Sequence, residues 1–197
     1  MKKIYNSKLK IQNLQGGYTL IELLAVITIV VVVGTIVAGI LISSLRGGSK
    51  SNVLDNVRQN GNYAVTQMSK MIIYAQSFNG VSRDGGLSYT TNCTQVIPSS
   101  PAPTPTAYQY VKITSFDGGQ TIFSCNSLTI ASNGASMIDT STVSLVLCSF
   151  TCTQNNFGQA PTIGINLTLK QSTLSSFAEK QATIPFQTSV TIRNNNL

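Results

Sequence analysis

The longest apolar run in the chain lies close to its N-terminus. From Leu23 to Ile42 no residue carries a charge, and only Gly34, Gly39 and two threonines interrupt the apolar side chains. These twenty residues would rise about 30 Å as a helix, which is the thickness of the hydrocarbon core of a bilayer. Val and Ile are weak helix formers in water, but in lipid the backbone finds hydrogen-bond partners only within a helix. The pattern therefore predicts a membrane-spanning helix.

A second helical pattern follows, with apolar residues on one face only. Between Asn52 and Phe78 apolar side chains recur at steps of three and four residues, which is typical of an amphipathic helix. We expect this apolar stripe to pack on a sheet, Gly47-Gly48 to break or bend the helix before it, and Asn79-Gly80 to end it. The stripe consists of Val53, Val57, Ala64, Met68, Met71, Ile72, Ala75 and Phe78.

Beyond Gly85-Gly86 the periodicity becomes that of short strands. Asp117-Gly118-Gly119 and Asn133-Gly134 each separate two such segments and predict hairpin turns. From Ile163 to Lys170 apolar residues take every odd position, so one face of that strand should be buried and the other solvated. The predicted strands are 110–115, 120–124, 128–131, 136–138, 143–150, 163–170 and 188–193.

These patterns predict the α+β class, with a long N-terminal helix packed on an antiparallel β-sheet domain. A Pro-rich loop over 98–105 interrupts the strands, and its prolines cannot join a β-ladder. The loop is interpreted as a solvated excursion, with a partner-docking loop as the alternative.

The charge distribution does not favour nucleic-acid binding, although the net charge is +7. Four lysines precede the glycine pair at 16–17, and from Tyr18 onward nine basic residues face six acidic ones, which leaves 9 − 6 = +3 spread thinly. Displacing counterions from phosphates requires clustered cations. Four lysines before the span, with only Arg46 and Lys50 just after it, instead favour an N-terminus on the cytoplasmic side.

All four cysteines lie after the apolar segment: Cys93, Cys125, Cys148 and Cys152. If this part is exported, two disulfides are expected, with free buried thiols or a metal site as the alternatives. Cys148 and Cys152 would stand about 13 Å apart along a straight strand, so they can pair only if the chain turns between them. That turn would leave Cys93 to pair with Cys125, which is one of three possible connectivities.

No catalytic constellation is visible in the sequence. The chain has no histidine, which excludes Ser-His-Asp and Cys-His arrangements. The motifs Asp84-Gly-Gly and Asp117-Gly-Gly lack the ligand spacing of calcium loops and are interpreted as turns. No catalytic residue, metal or cofactor is expected. The carboxylates outside the apolar segment are dispersed, at Asp55, Asp84, Asp117, Asp139 and Glu179.

The glycine pair Gly16-Gly17 stands before the apolar run, whereas an ordinary secretory signal is cut after it. The segment GYTLIELLAV from Gly17 to Val26 resembles the prepilin cleavage and methylation motif of type IV pilins and type II secretion pseudopilins. The resemblance covers about the first quarter of the chain. It implies that a membrane aspartic peptidase cuts after Gly17 and methylates the new amine of Tyr18, where the family usually has Phe. The helix-kinking proline of many major pilins is absent.

This resemblance implies a pilin-like fold and a division of the chain into four segments. They are a cleaved basic leader (1–17), a transmembrane or filament-core helix (18–45), its amphipathic continuation (46–80) and an exported β-rich domain (81–197). The implied partners are the prepilin peptidase/methyltransferase, other pilin or pseudopilin subunits and the cytoplasmic membrane. After cleavage the protein is expected in an extracellular or periplasmic filament.

Glu22 is the one carboxylate at the head of the apolar segment. A charge in hydrocarbon costs about 2 to 3 kcal/mol and usually has a partner. The processed Tyr18 amine would lie about one helical turn away, and in the pilin family the partner is the amine of the neighbouring subunit. Alternatively, Glu22 snorkels to the lipid headgroups.

The resulting hypothesis is a filament subunit, most consistent with a minor one. The alternative is a signal-anchored surface protein whose β-rich domain binds a ligand. An exported enzyme is a third possibility that no constellation supports. A processed, methylated N-terminus distinguishes the first from the second.

Overall fold

The computed structural model describes residues 17–95, 104–126, 129–156, 158–172 and 181–193. The leader up to residue 16, residues 98–103 of the Pro-rich loop, Leu128 and Glu179 lie outside them. The chain divides into two compact units after Leu45. Among the described residues are one long helix, α1 (Leu20–Ile73), and the strands β1 (Ser77–Ser82), β2 (Thr94–Gln95), β3 (Ala107–Tyr108), β4 (Tyr110–Thr114), β5 (Gln120–Cys125), β6 (Ile130–Ser132), β7 (Ala135–Ser136), β8 (Val143–Gln154), β9 (Thr162–Gln171) and β10 (Thr183–Thr191).

The first unit contains the apolar part of α1. An 18-residue window of this helix reaches a mean hydropathy of 2.9, so by length and composition it can span a membrane. The large apolar side chains from Leu20 to Leu45 are each at least 48% exposed. Thr28 and Thr35 interrupt this apolar surface. The hydroxyl of each donates a hydrogen bond to the backbone carbonyl three residues earlier at 2.8 Å, so neither hydroxyl is unpaired. Such a surface requires a covering of lipid or protein.

Gly47-Gly48 does not break α1, so that part of the prediction is wrong, and a bend at the glycine pair stays a prediction. A glycine costs only about 1 kcal/mol in a helix interior relative to alanine. Once a helix is formed, each further residue adds a hydrogen bond without a new nucleation cost. The helical segments on both sides therefore propagate through the glycine pair.

In the second unit, α1 buries one face between Val57 and Ile72. The buried positions are Val57, Gly61, Ala64, Met68 and Ile72, at steps of three and four residues. The predicted stripe is confirmed at Val57, Ala64, Met68 and Ile72, and Gly61 belongs to it as well. Val53 and Met71 are partly buried. The side chains of this face join a single buried cluster with residues of both sheets.

The helix ends at Ile73 rather than at Asn79-Gly80, which is a correction of the predicted boundary. Phe78 is buried as predicted, but in β1, which pairs antiparallel with β4. Asn79-Gly80 forms a bulge there: the register shifts between Phe78 and Gly80, and Gly80 has φ +119°. A Cβ at Gly80 would lie 2.7 Å from the Thr90 carbonyl oxygen, so only glycine fits. Strand pairing has overridden the helical periodicity.

The strands form two sheets, with orders β1-β4-β5-β6-β7 and β10-β9-β8-β2. Every pair is antiparallel except β2 with β8, and β3 also pairs with β8. The predicted hairpins β4–β5 and β6–β7 are confirmed. Asn133 and Gly134 both have positive φ, as a two-residue hairpin turn requires. β1, β2 and β3 were not predicted, because each owes its extended form to a distant partner.

The alternation predicted for β9 is confirmed. Its odd positions, Ile163, Ile165, Leu167 and Leu169, are at most 1% exposed and form part of the core. On one side β9 pairs with β8, and on the other with β10, which is an edge strand of its sheet in the described part of the chain. Pro185 lies within β10, a position that suits an edge because proline has no backbone N–H.

Gly61 lets α1 approach the second sheet closely. A Cβ at this position would lie 2.2 Å from the ring of Phe186 in β10. Contacts under about 3 Å between carbons are repulsive, so the Phe186 ring occupies the space that any other residue at position 61 would need.

We expect Gly61→Ala to lower the free energy of unfolding by about 1 kcal/mol. Overpacking costs roughly 1 to 3 kcal/mol, which exceeds the gain of up to about 1 kcal/mol in helix propensity. In a Phe186→Ala background the same change should instead stabilise the protein, because the clash is gone. Denaturant unfolding of all four proteins, followed by near-UV circular dichroism, measures this cycle. Equal effects in both backgrounds would contradict the packing role.

Candidate functional site

The residues predicted for processing and assembly lie together at the head of α1. Gly17, Tyr18 and Thr19 precede the helix and are exposed. Among the described residues, nothing lies within 4 Å of a Cβ built on Gly17, so they leave the bond between Gly17 and Tyr18 uncovered. Cleavage at this bond would leave α1 complete, because the helix begins only at Leu20.

Thr19 is the N-cap of α1, a role that the sequence reasoning missed. Its hydroxyl oxygen accepts a hydrogen bond from the Glu22 backbone N–H at 3.3 Å, and its carbonyl accepts from the N–H groups of Glu22 and Leu23. The spacing Thr-x-x-Glu is the sequence signal of a capping box, and it could have predicted the start of the helix. Thr19 therefore fixes where the helix begins relative to Tyr18 and Glu22.

The Glu22 carboxylate lies in the first turn of α1, at the end of the helix dipole that favours negative charge. Its neighbours Ile21 and Leu23 are exposed apolar side chains. Within the described residues the structure gives this carboxylate no hydrogen bond or salt bridge. Glu22 is thus a charged group in an apolar surface, and it has no partner among the described residues.

The four cysteines form two disulfides, as predicted, but the predicted pairing is wrong. Cys93 pairs with Cys152 and Cys125 with Cys148, with Cα–Cα distances of 5.0 and 5.4 Å. The expected turn between Cys148 and Cys152 does not occur, because β8 continues from Val143 to Gln154. A straight strand holds these two cysteines too far apart to bond.

The pairing follows from the strand topology. Thr94 and Thr153 are register partners in β2 and β8, which places Cys93 beside Cys152. Cys125 ends β5 in the other sheet, so its bond to Cys148 joins the two sheets. Both disulfides therefore end on β8, on the same face as the buried Phe150.

The two Asp-Gly-Gly motifs are turns, as predicted. The Asp84 carboxylate accepts hydrogen bonds from the hydroxyls of Ser82 and Ser88 and from the Ser88 N–H. These bonds hold the pKa of Asp84 well below its ordinary value. Asp117 accepts from the Gly119 N–H at 3.0 Å in the β4–β5 turn. Among the described residues no three His, Cys, Asp or Glu side chains cluster as metal ligands.

Comparison with protein-family models, with curated proteins and with solved structures gives no match for this chain.

Proposed function

We propose that the protein is a structural subunit of a type IV pilus or pseudopilus filament, and a minor one. In this proposal it is made as a membrane-anchored precursor, cleaved after Gly17 and N-methylated at Tyr18. The observation that carries the proposal is the segment Gly17-Tyr-Thr-Leu-Ile-Glu22 at the head of an exposed apolar helix. A plain membrane anchor needs the helix but neither an unpartnered carboxylate nor a glycine pair before it.

The proposed role of Glu22 rests on charge pairing. Cleavage creates an amine at Tyr18, about one helical turn from a carboxylate without a partner in the described chain. When α1 helices leave the lipid and pack against one another, an amine from one subunit and Glu22 from the next neutralise each other. An apolar helix surface supplies the packing area, and the ion pair sets the axial register.

The topology of the proposal follows the charge. The leader lysines remain in the cytoplasm with the prepilin peptidase/methyltransferase, and the second unit is exported. Export to an oxidising compartment is consistent with a domain that holds its four cysteines in two disulfides. Its partners are then other filament subunits, and its role is structural rather than enzymatic.

Processing provides the test. Intact-mass spectrometry of the protein from membranes of its native host should show loss of residues 1–17 and addition of one methyl group. Gly17→Leu should accumulate as the full-length precursor, because a branched side chain at the cut obstructs the peptidase. Gly34→Ala is the matched control: position 34 is open space within the span, so this variant should be processed normally.

Two results would contradict the proposal. A mature chain beginning just after the apolar run, at Ser44 or Leu45, would identify an ordinary secreted protein. A chain that keeps its native start in a host with an active prepilin peptidase would favour the signal-anchored surface protein.

A further inference from the structure

The second unit contains an open groove of about 610 Å³ beside the C-terminal turn of α1. Lys70, Met71 and Tyr74 line it from the helix side. The β4–β5 turn lines it with Phe116 and Asp117, and Ser115, Gly119, Gln120, Thr121 and Asn133 complete the lining. The volume is in the range of sites for small molecules, roughly 300 to 1,000 Å³.

Two aromatic side chains of the groove are exposed to solvent. Phe116 is 82% exposed at the tip of a hairpin, where a polar residue would form the turn equally well, and Tyr74 is 56% exposed. Exposed aromatic rings beside a concave surface are typical of binding sites. Because folding leaves these rings in water, burying them against a ligand contributes favourable free energy to binding.

Three polar groups of the groove have no protein partner within the described chain: the Lys70 ammonium, the Tyr74 hydroxyl and the Gln120 amide. The remaining polar side chains of the groove form hydrogen bonds within the protein, and these bonds hold the walls of the groove in place. Ser115 and Thr121 bond to each other at 2.6 Å. Asn133 accepts from the Ile122 N–H and donates to the Gln120 carbonyl. The groove thus offers unused hydrogen-bonding groups around aromatic rings on a fixed frame.

We propose that this groove binds a neutral saccharide. A sugar ring has an apolar C–H face that stacks on an aromatic ring, and hydroxyl groups at its edge that bond to amide, hydroxyl and ammonium groups. One cation and one anion, Lys70 and Asp117, line the groove, so a polyanion such as a nucleic acid gains nothing there. A purely apolar ligand would leave the three polar groups unpaired. The proposal does not depend on cleavage at Gly17 or on filament formation.

The test uses the full-length protein in detergent, fluorescently labelled, on an array of neutral, acidic and sulfated glycans. We expect binding to a subset of neutral glycans. Phe116→Ala and Tyr74→Ala should each weaken binding about two- to tenfold, because each removes a stacking surface. Phe116→Tyr should retain binding, since it keeps the ring. Gln120→Leu should weaken binding without loss of either ring.

Leu87→Ala is the matched control, because Leu87 is 90% exposed and does not line the groove. It should bind as the unmodified protein does. All variants change exposed residues, and near-UV circular dichroism checks that each one is folded. The proposal is overturned by an absence of binding to every neutral glycan, by binding to sulfated glycans alone, or by glycan binding that the groove substitutions leave unchanged. It is equally overturned if the groove substitutions alter only self-association of the protein.

Discussion

Glu22→Ala is expected to leave the precursor inserted and cleaved, and to lower its incorporation into filaments by about tenfold or more. Insertion should become easier by about 2 to 3 kcal/mol, because a charge is removed from an apolar segment. Incorporation should fall because, in the proposed filament, the neighbour's Tyr18 amine would enter the core unpaired, at a cost of several kcal/mol. Immunoblots of sheared-filament and membrane fractions measure incorporation at equal membrane levels.

Three controls separate charge pairing from other roles of Glu22. Thr19→Ala removes the N-cap hydroxyl, worth about 0.5 to 2 kcal/mol to the helix, but keeps the carboxylate, so it should still be incorporated. Glu22→Gln keeps the shape and loses the charge, and should behave like Glu22→Ala. Glu22→Asp keeps the charge with a shorter reach, which tests geometry. Normal incorporation of Glu22→Ala would leave Glu22 as a headgroup anchor.

Removing either disulfide should destabilise the second unit, and the Cys93–Cys152 bond should matter more. It closes a sequence separation of 59 residues, against 23 for Cys125–Cys148. The chain-entropy model assigns such loops about 4 and about 3 kcal/mol. Each bond is best removed as a double Cys→Ala variant, so that no free thiol remains to exchange. Denaturant unfolding monitored by near-UV circular dichroism gives the order of the two losses.

Peptide mapping under non-reducing conditions provides the companion measurement. It should recover a Cys93–Cys152 peptide and a Cys125–Cys148 peptide and no free thiol. A Cys148–Cys152 peptide would restore the pairing that the sequence favoured. Reaction of all four cysteines with a maleimide in the native, unreduced protein would refute both disulfides. A larger loss from removing Cys125–Cys148 would mean that the bond between the sheets matters beyond its effect on chain entropy.

The features that could be predicted from the sequence are those with a local signal, either a regular spacing of apolar residues or a characteristic turn sequence. The apolar stripe of α1 and the odd positions of β9 are buried as expected, since a helix or strand with one apolar face has only one way to hide it. The turns at Asp117-Gly118-Gly119 and Asn133-Gly134 were equally predictable, because glycine and asparagine tolerate positive φ.

What the sequence could not predict depends on distant partners. Residues 74–78 continue the helical spacing, and only the ladder between β1 and β4 shows why the chain leaves the helix at Ile73. The cysteine pairing depended on whether β8 stays straight, which its long ladder with β9 decides. Gly61 gave no signal in the periodicity, since its role is defined by the ring of Phe186, more than a hundred residues later.

The residues at the head of α1, in contrast, depend on no distant partner for their assignment. The assignment of Gly17, Tyr18 and Glu22 to processing and assembly rests on their order along the chain, because processing motifs are read as linear sequence, and it stays a prediction. The groove between Tyr74 and Phe116 was not identified, since 42 positions separate these two residues along the chain and no local pattern relates them.

Pro185 affects how readily the edge strand β10 can pair with a strand of another copy. When many copies of a protein lie side by side, the unpaired edge strand of one copy can pair with that of another. Repeated pairing of this kind extends the sheet from copy to copy. In the described part of the chain no strand pairs with the outer edge of β10, which is nine residues long, enough to recruit another strand. The proline at its third residue removes one of the donors that such a ladder requires, so an added strand cannot be bonded along its whole length. Pro185 therefore makes β10 a poorer template for joining the sheets of neighbouring copies.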